Sequence, residues 1–151
     1  MAHCYLGSSR WEETIERSLE LARESSGKGS RYGQNVLGLF YEYGSGGVAW
    51  DDAQAIALFR LAAAQNLDLA QCMLGEMYAH GQGVAKDRAE ALRLFQLAAA
   101  QGYPEALYNV ADCHEHGEGV RENKAEAIHW YRRAQAAGYS SASVDLHRLR
   151  A

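Results

Sequence analysis

A single proline, Pro104, stands in the 151 residues, so the commonest breaker of helices is almost missing and collagen-like or polyproline classes are excluded. Cysteine is scarce as well. Cys4, Cys72 and Cys113 are odd in number and irregular in spacing, which is a poor disulfide framework. Reduced thiols and a cytoplasmic setting are the expectation. No apolar run approaches the roughly 20 residues that span a bilayer. The first residues lack a basic start followed by an apolar stretch, so no membrane span or secretory signal is expected. Nor does one sign of charge dominate: 15 basic against 19 acidic side chains leave a net −4 without a basic stripe, which argues against nucleic-acid binding. The signatures of common enzymes (GxSxG, HExxH, a phosphate loop) are also missing, and no enzyme activity or cofactor is expected.

What the sequence has in quantity is itself. "HGQGVAKDRAEALRLFQLAAAQGYPEA" begins at His80 and "HGEGVRENKAEAIHWYRRAQAAGYSSA" at His116, and 116 − 80 gives a period of 36 residues. A third copy lies upstream: Asp51, Asp87 and Asn123 align, as do Phe59, Phe95 and Tyr131, then Ala62, Ala98 and Ala134. Fixed periods of roughly 20–50 residues mark stacked repeats. Each unit carries two helical signals. The first helix stops at a glycine turn, Gly81-Gln82-Gly83 or Gly117-Glu118-Gly119. The second opens on a capping box: Asp51 with Gln54, Asp87 with Glu90, Asn123 with Glu126. Small residues (Gly38, Gly75, Ala111) alternate with large ones (Phe59, Phe95, Tyr131), the pattern of interlocking helix pairs. One pair cannot bury its apolar face alone, so stacking is what the repetition implies.

The run Leu74-Gly75, Tyr78, Gly81, Gly83-Val84, Asp87, Ala91, Ala98-Ala99, Gly102 and Ala106 resembles the Sel-one-like repeat, a relative of the tetratricopeptide repeat. The resemblance implies an all-α, right-handed α/α superhelix, a solenoid. Its units cover about 32–68, 69–104 and 105–140, and a closing helix covers 141–150. Residues 1–30 match poorly and are expected to form an N-terminal helical cap ending in a flexible joint, "SSGKGS"; residues 31–151 form the repeat domain. Departures from the pattern are the extra glycine in Gly46-Gly47, Asn66 in place of a turn glycine, Val110-Ala111, His114, and His147 in a column of small residues.

In such solenoids the first helices line a concave groove, and the resemblance implies a protein-interaction scaffold that holds a peptide or helix of a partner. The register places Tyr32, Asn35, Leu39, Tyr43, Cys72, Glu76, His80, Tyr108, Asp112, Glu115, His116 and Arg148 on or beside that groove. Glu76, Asp112 and Glu115 would make its middle acidic and suit a basic partner; Asn35 could bond peptide backbone. The bland reading of each charge is a solvated helix face. A second function class is a metal-binding or hydrolase-type site built on Glu76/His80 and Asp112/His116, both i, i+4 pairs on one helical face. Against it, a histidine before a turn glycine also suits the negative end of a helix dipole. Relatives with paired cysteines have been linked to β-lactam binding, but Cys72 and Cys113 lack partners one turn away. Trp11 and Trp50, each just before a helical stretch, are either hydrophobic staples, the commoner case, or exposed contacts. Oligomeric state is not legible in the sequence.

Overall fold

The computed structural model describes residues 5–150, and side-chain environments from residue 10 onward. Cys4 and His3 lie outside them. Among the described residues the chain forms eight helices and no strand, the all-α class that the periodicity calls for. They are α1 (Tyr5–Gly27), α2 (Arg31–Tyr43), α3 (Asp52–Ala64), α4 (Asp68–His80), α5 (Arg88–Ala100), α6 (Pro104–His116), α7 (Lys124–Ala136) and α8 (Ser141–Arg150). They fall into two compact units, Met1–Gln65 and Asn66–Ala151. The first holds α1 packed on α2 and α2 on α3; the second runs from α4 to α8, each helix packed on the next.

The local signals act where the sequence puts them. Asp51, Asp87 and Asn123 each accept a hydrogen bond from the amide three residues on, at 3.0–3.1 Å, which satisfies an otherwise orphan donor of α3, α5 and α7. Ser30 does the same for α2 at 3.4 Å. The first helices α2, α4 and α6 end on Gly44, Gly81 and Gly117 in the left-handed region. Asn66 takes a turn-glycine place with φ 62°, the one positive-φ residue other than glycine among those described. Asparagine tolerates that region better than most side chains do. Its Oδ1 also accepts hydrogen bonds from Gln71 (3.1 Å) and Gln101 (3.2 Å).

Small residues admit large ones across each pair. A Cβ added to Gly38 would lie 2.7 Å from the Phe59 ring, and one added to Gly75 would lie 2.7 Å from the Phe95 ring. Phe59, Phe95 and Tyr131 are buried in consequence.

Two expectations need correction. The N-terminal segment is longer and more regular than a cap with a flexible joint: α1 continues through Ser25, Ser26 and Gly27, because no helix-stopping residue precedes Gly27. Gly33 leaves α2 room to sit on Ser25 and Ser26, where an added Cβ would come within 2.5 Å of Ser25 Oγ. Of the two readings of Trp11 and Trp50, the exposed one fits and the staple does not. They are 71% and 67% exposed, and the Trp50 indole donates instead to Asp52 Oδ1 at 3.0 Å.

Candidate functional site

The second unit carries a cleft of about 430 Å³ whose walls come from α4, α5, α6 and the two glycine loops. Glu76 and His80 project from α4, Asn109 and Asp112 from α6, and Arg88 and Glu118 close one side as an ion pair. The Asn109 amide donates to Glu76 Oε1 at 3.4 Å and reaches Cys72 Sγ at 3.6 Å. Burial, and then the neighbouring Glu105 carboxylate, push Glu76 up to about 6. Burial also raises Asp112 above the usual aspartate range, opposed by His116. Among the described residues neither Glu76 nor Asp112 has a lysine or arginine in salt-bridge contact. Two carboxylates are thus partly desolvated beside an open space. That arrangement favours a cation or a hydrogen-bond donor arriving from outside.

The expected groove residues divide by burial. Glu76, His80, Asp112 and His116 are at least partly accessible in the second unit, and Tyr108 is half-buried. In the first unit Tyr32 and Tyr43 are exposed and Leu39 is half-buried. Asn35, Cys72 and Glu115 are buried, at 3%, 2% and 7% exposure, and do not present a surface to a partner. The reasons differ. Asn35 lies inside its helix packing, and its Oδ1 accepts no hydrogen bond. The Cys72 thiol turns inward towards Asn109, and burial pushes its pKa well up, so it is not an activated nucleophile. Glu115 serves the core: Tyr131 donates to it at 2.7 Å and Arg148 pairs with it at 2.6 Å. The Arg148 hydrogen bond holds the Glu115 carboxyl below the usual range. Arg148 is engaged there and with Asp145, so it does not form a basic end to a groove.

No set of converging ligand atoms among the described residues contains both histidine pairs. His80 Nδ1 lies 2.9 Å from the Glu76 carbonyl oxygen and His116 Nδ1 3.1 Å from that of Asp112. A carbonyl only accepts, so each Nδ1 carries the proton and closes its helix end. Two sets of possible ligand atoms converge among the described residues: Cys72, Glu76 and Glu105, and Asp112, Glu115 and His116. His80 belongs to neither set. In the first set burial favours a protonated thiol, and in the second Glu115 is already taken by Arg148 and Tyr131.

Asn109, Arg88 and Glu118 escaped the sequence reading. Arg88 and Glu118 are in different units of the repeat, and a one-helix register cannot pair them. Asn109 falls in the same column as Val36 and Met73, so nothing in the repeat marks it.

The Sel1 repeat family model matches residues 31–67, 68–103 and 104–139. No curated protein matches the sequence. Among solved structures, a Sel1 repeat protein from Oxalobacter formigenes is 34% identical over 87% of this chain and 98% of its own, with a TM-score of 0.78. The protective antigen c5321 of uropathogenic Escherichia coli, described as having an SLR fold, is also 34% identical, with a TM-score of 0.81. That match covers 85% of this chain and 27% of the antigen. Helicobacter pylori cysteine rich protein B, 17% identical with a TM-score of 0.69, shares the fold. No described helix is long and apolar enough to cross a membrane. The repeat boundaries agree with the helix pairs to within a residue or two, the solved relatives repeat the same solenoid of helix pairs, and the chain belongs to the Sel1 repeat family.

Proposed function

We propose that this chain is a protein-interaction scaffold and that the cleft of its second unit receives a partner segment bearing a lysine or arginine side chain. Sel1 repeat proteins generally act as interaction scaffolds, which supports the coarser part. One observation carries the finer part: Glu76 and Asp112 face a shared cleft, partly buried, with no lysine or arginine paired to either. A basic side chain entering there would relieve the repulsion around Glu76 and favour its ionised form. An ammonium or guanidinium would also donate a hydrogen bond to the Asn109 side-chain carbonyl oxygen. Unpaired thiols at Cys72 and Cys113 suit a reducing compartment, and a cytoplasmic setting is part of the proposal.

The test begins with cross-linking and mass spectrometry to identify a bound segment. Glu76→Lys with Asp112→Lys is then compared with Glu126→Lys, a reversal on the exposed side of α7. The cleft pair should weaken binding by at least about tenfold, on the order of 1.4 kcal/mol, and the control should change it little. Equal effects from the two reversals would overturn the cleft as the docking site.

A further inference from the structure

The first unit has an open groove that, in the second unit, is filled. Backbone hydrogen bonds fix the equivalence: Ser30 N bonds Ser25 O as Tyr103 N bonds Ala98 O, and Gly29 N bonds Ser26 O as Gly102 N bonds Ala99 O. The offset is 98 − 25, or 73 residues, so the last turns of α1 correspond to those of α5 and the start of α2 to that of α6. By that offset Ser18, Leu21, Ala22 and Ser25 of α1 match Ala91, Leu94, Phe95 and Ala98 of α5. Tyr32 and Val36 of α2 match Glu105 and Asn109 of α6.

In the second unit α4 lies against this set: Gly75 admits the Phe95 ring, and Glu76 and Cys72 meet Asn109. Ala91, Leu94, Phe95 and Ala98 are buried there, as Ala22 is in the first unit. In the first unit the same positions border a groove of about 330 Å³. Leu21, Tyr32 and Val36 there are 49%, 59% and 40% exposed. Among the described residues no charged side chain lines it.

We propose that this groove is a docking site for an amphipathic α-helix supplied by another protein, seated as α4 is seated on α5 and α6. The interface that α4 makes inside the same chain is the argument for a helix rather than an extended strand. Side-chain size gives the specificity. Ala22 stands where α5 has Phe95, so the incoming helix needs a bulky apolar residue where α4 has Gly75. Val36 stands where α6 has Asn109, so the residue that answers Glu76 should be uncharged. A second copy of this chain fits the groove poorly through α8, its last described helix. By the 36-residue period Ser143 and His147 of α8 stand where α6 has the buried Leu107 and Ala111, so the face that a further helix would cover is polar and exposed.

This site is separate from the charged cleft, and its test reads different residues. The probe is a helix-stapled, fluorescein-labelled peptide copying Asp68–His80 with Cys72→Ala, Gly75→Leu and Glu76→Gln, titrated into the full chain. Saturable binding is expected, with amide shifts centred on Gly33 and Val36 in the labelled chain. Leu21→Arg or Val36→Arg, both at exposed positions, should weaken it at least about tenfold while the unliganded melting midpoint stays put. The same peptide with Gly75 retained should bind more weakly. Binding indifferent to both arginine variants, or no saturable binding up to millimolar peptide, would overturn the proposal. So would a dimer of the chain alone, seen by sedimentation and abolished by Leu21→Arg, which would make the groove a self-association face.

Discussion

The second and third repeats solve the same packing problem with different chemistry. Where the second has Ala79 and Phe95, the third, 36 residues on, has Glu115 and Tyr131. Phe95 needs only a glycine opposite its ring. Tyr131 brings a hydroxyl into a fully buried site, and that hydroxyl requires an acceptor. Glu115 supplies it, and Arg148 from the following helix balances the carboxylate. A second exchange runs the other way. The second repeat joins its helices through buried Gln71, whose Oε1 accepts from Gln101 at 2.9 Å, as Gln34 accepts from Gln65 at 2.7 Å in the first. The third has Leu107 and Ala137 at those places and relies on apolar contact. Backbone geometry is thus indifferent to whether a layer is polar, provided every member of the polar set changes together.

The sharpest way to separate the two repeats is through their loop glycines. Gly119 has φ 72°, and a Cβ there would lie 2.3 Å from the Arg88 carbonyl oxygen, which cannot swing aside. Gly119→Val should cost about 3 kcal/mol or more by chemical denaturation. Gly83, at φ 66°, meets the conformational penalty, and Gly83→Val should cost more than about 1 kcal/mol. Equal losses at the two sites would mean that the third loop does not lean on α5. Next in size is Glu115→Ala, which strands the Tyr131 hydroxyl and should cost about 2–3 kcal/mol. Adding Tyr131→Phe rebuilds the second repeat's solution and should restore most of that loss, because Arg148 is exposed enough to be solvated. A double mutant no better than the single would show that the ion pair, not the hydroxyl, matters.

Gly75→Ala should be milder, about 1–2 kcal/mol, since the Phe95 ring must shift by less than an ångström. The third repeat already has alanine in that place, and Ala111→Gly should lose about 1 kcal/mol through helix propensity alone. The smallest effect is on pH dependence, and the two repeats should give opposite signs. Glu76 has its folded pKa raised to about 6 by burial and Glu105. Its contribution is therefore present below the unfolded value near 4.5 and is lost as pH rises through about 6. Glu115 has its folded pKa lowered by Arg148, so its contribution is present above the unfolded value and is lost as pH falls through the folded one. Melting curves between pH 4 and 7 should flatten above about pH 5 in Glu76→Gln and below it in Glu115→Gln. Identical profiles in the two variants would refute the assignment.

Much of this architecture could be read from residues alone, because repeat period, caps and turns are local properties. Asp51, Asp87 and Asn123 cap the helices they precede, and Asn66 takes the left-handed turn expected of the glycine it replaces. The site was less legible. Register along one helix sets Glu76 and Asp112 at equivalent places, and both line the cleft, but it cannot say that Glu115, three residues further, turns inwards. That depends on Tyr131 and Arg148, which lie 16 and 33 residues away on other helices. Asn35 and Cys72 were misjudged for a related reason: small polar side chains and thiols have no periodic signature that separates a lined surface from a packed one. The length of α1 was underestimated because serine and glycine at Ser25–Gly27 read as a joint until the packing of Gly33 against them is known.

Within each unit every described helix packs on its neighbours in sequence, and hydrogen bonds such as Tyr108 to Asp145, 37 residues apart, tie helices together. Contacts so short in sequence require little loop closure before they form. Folding should be fast for a chain of this size, and nucleation can begin at any helix pair and spread outward. Opening should follow the reverse course. Amide exchange is then expected to be graded along α4 to α8, slowest in α5 to α7, which have neighbours on both sides, and fastest in α8, which packs on α7 alone among the described helices.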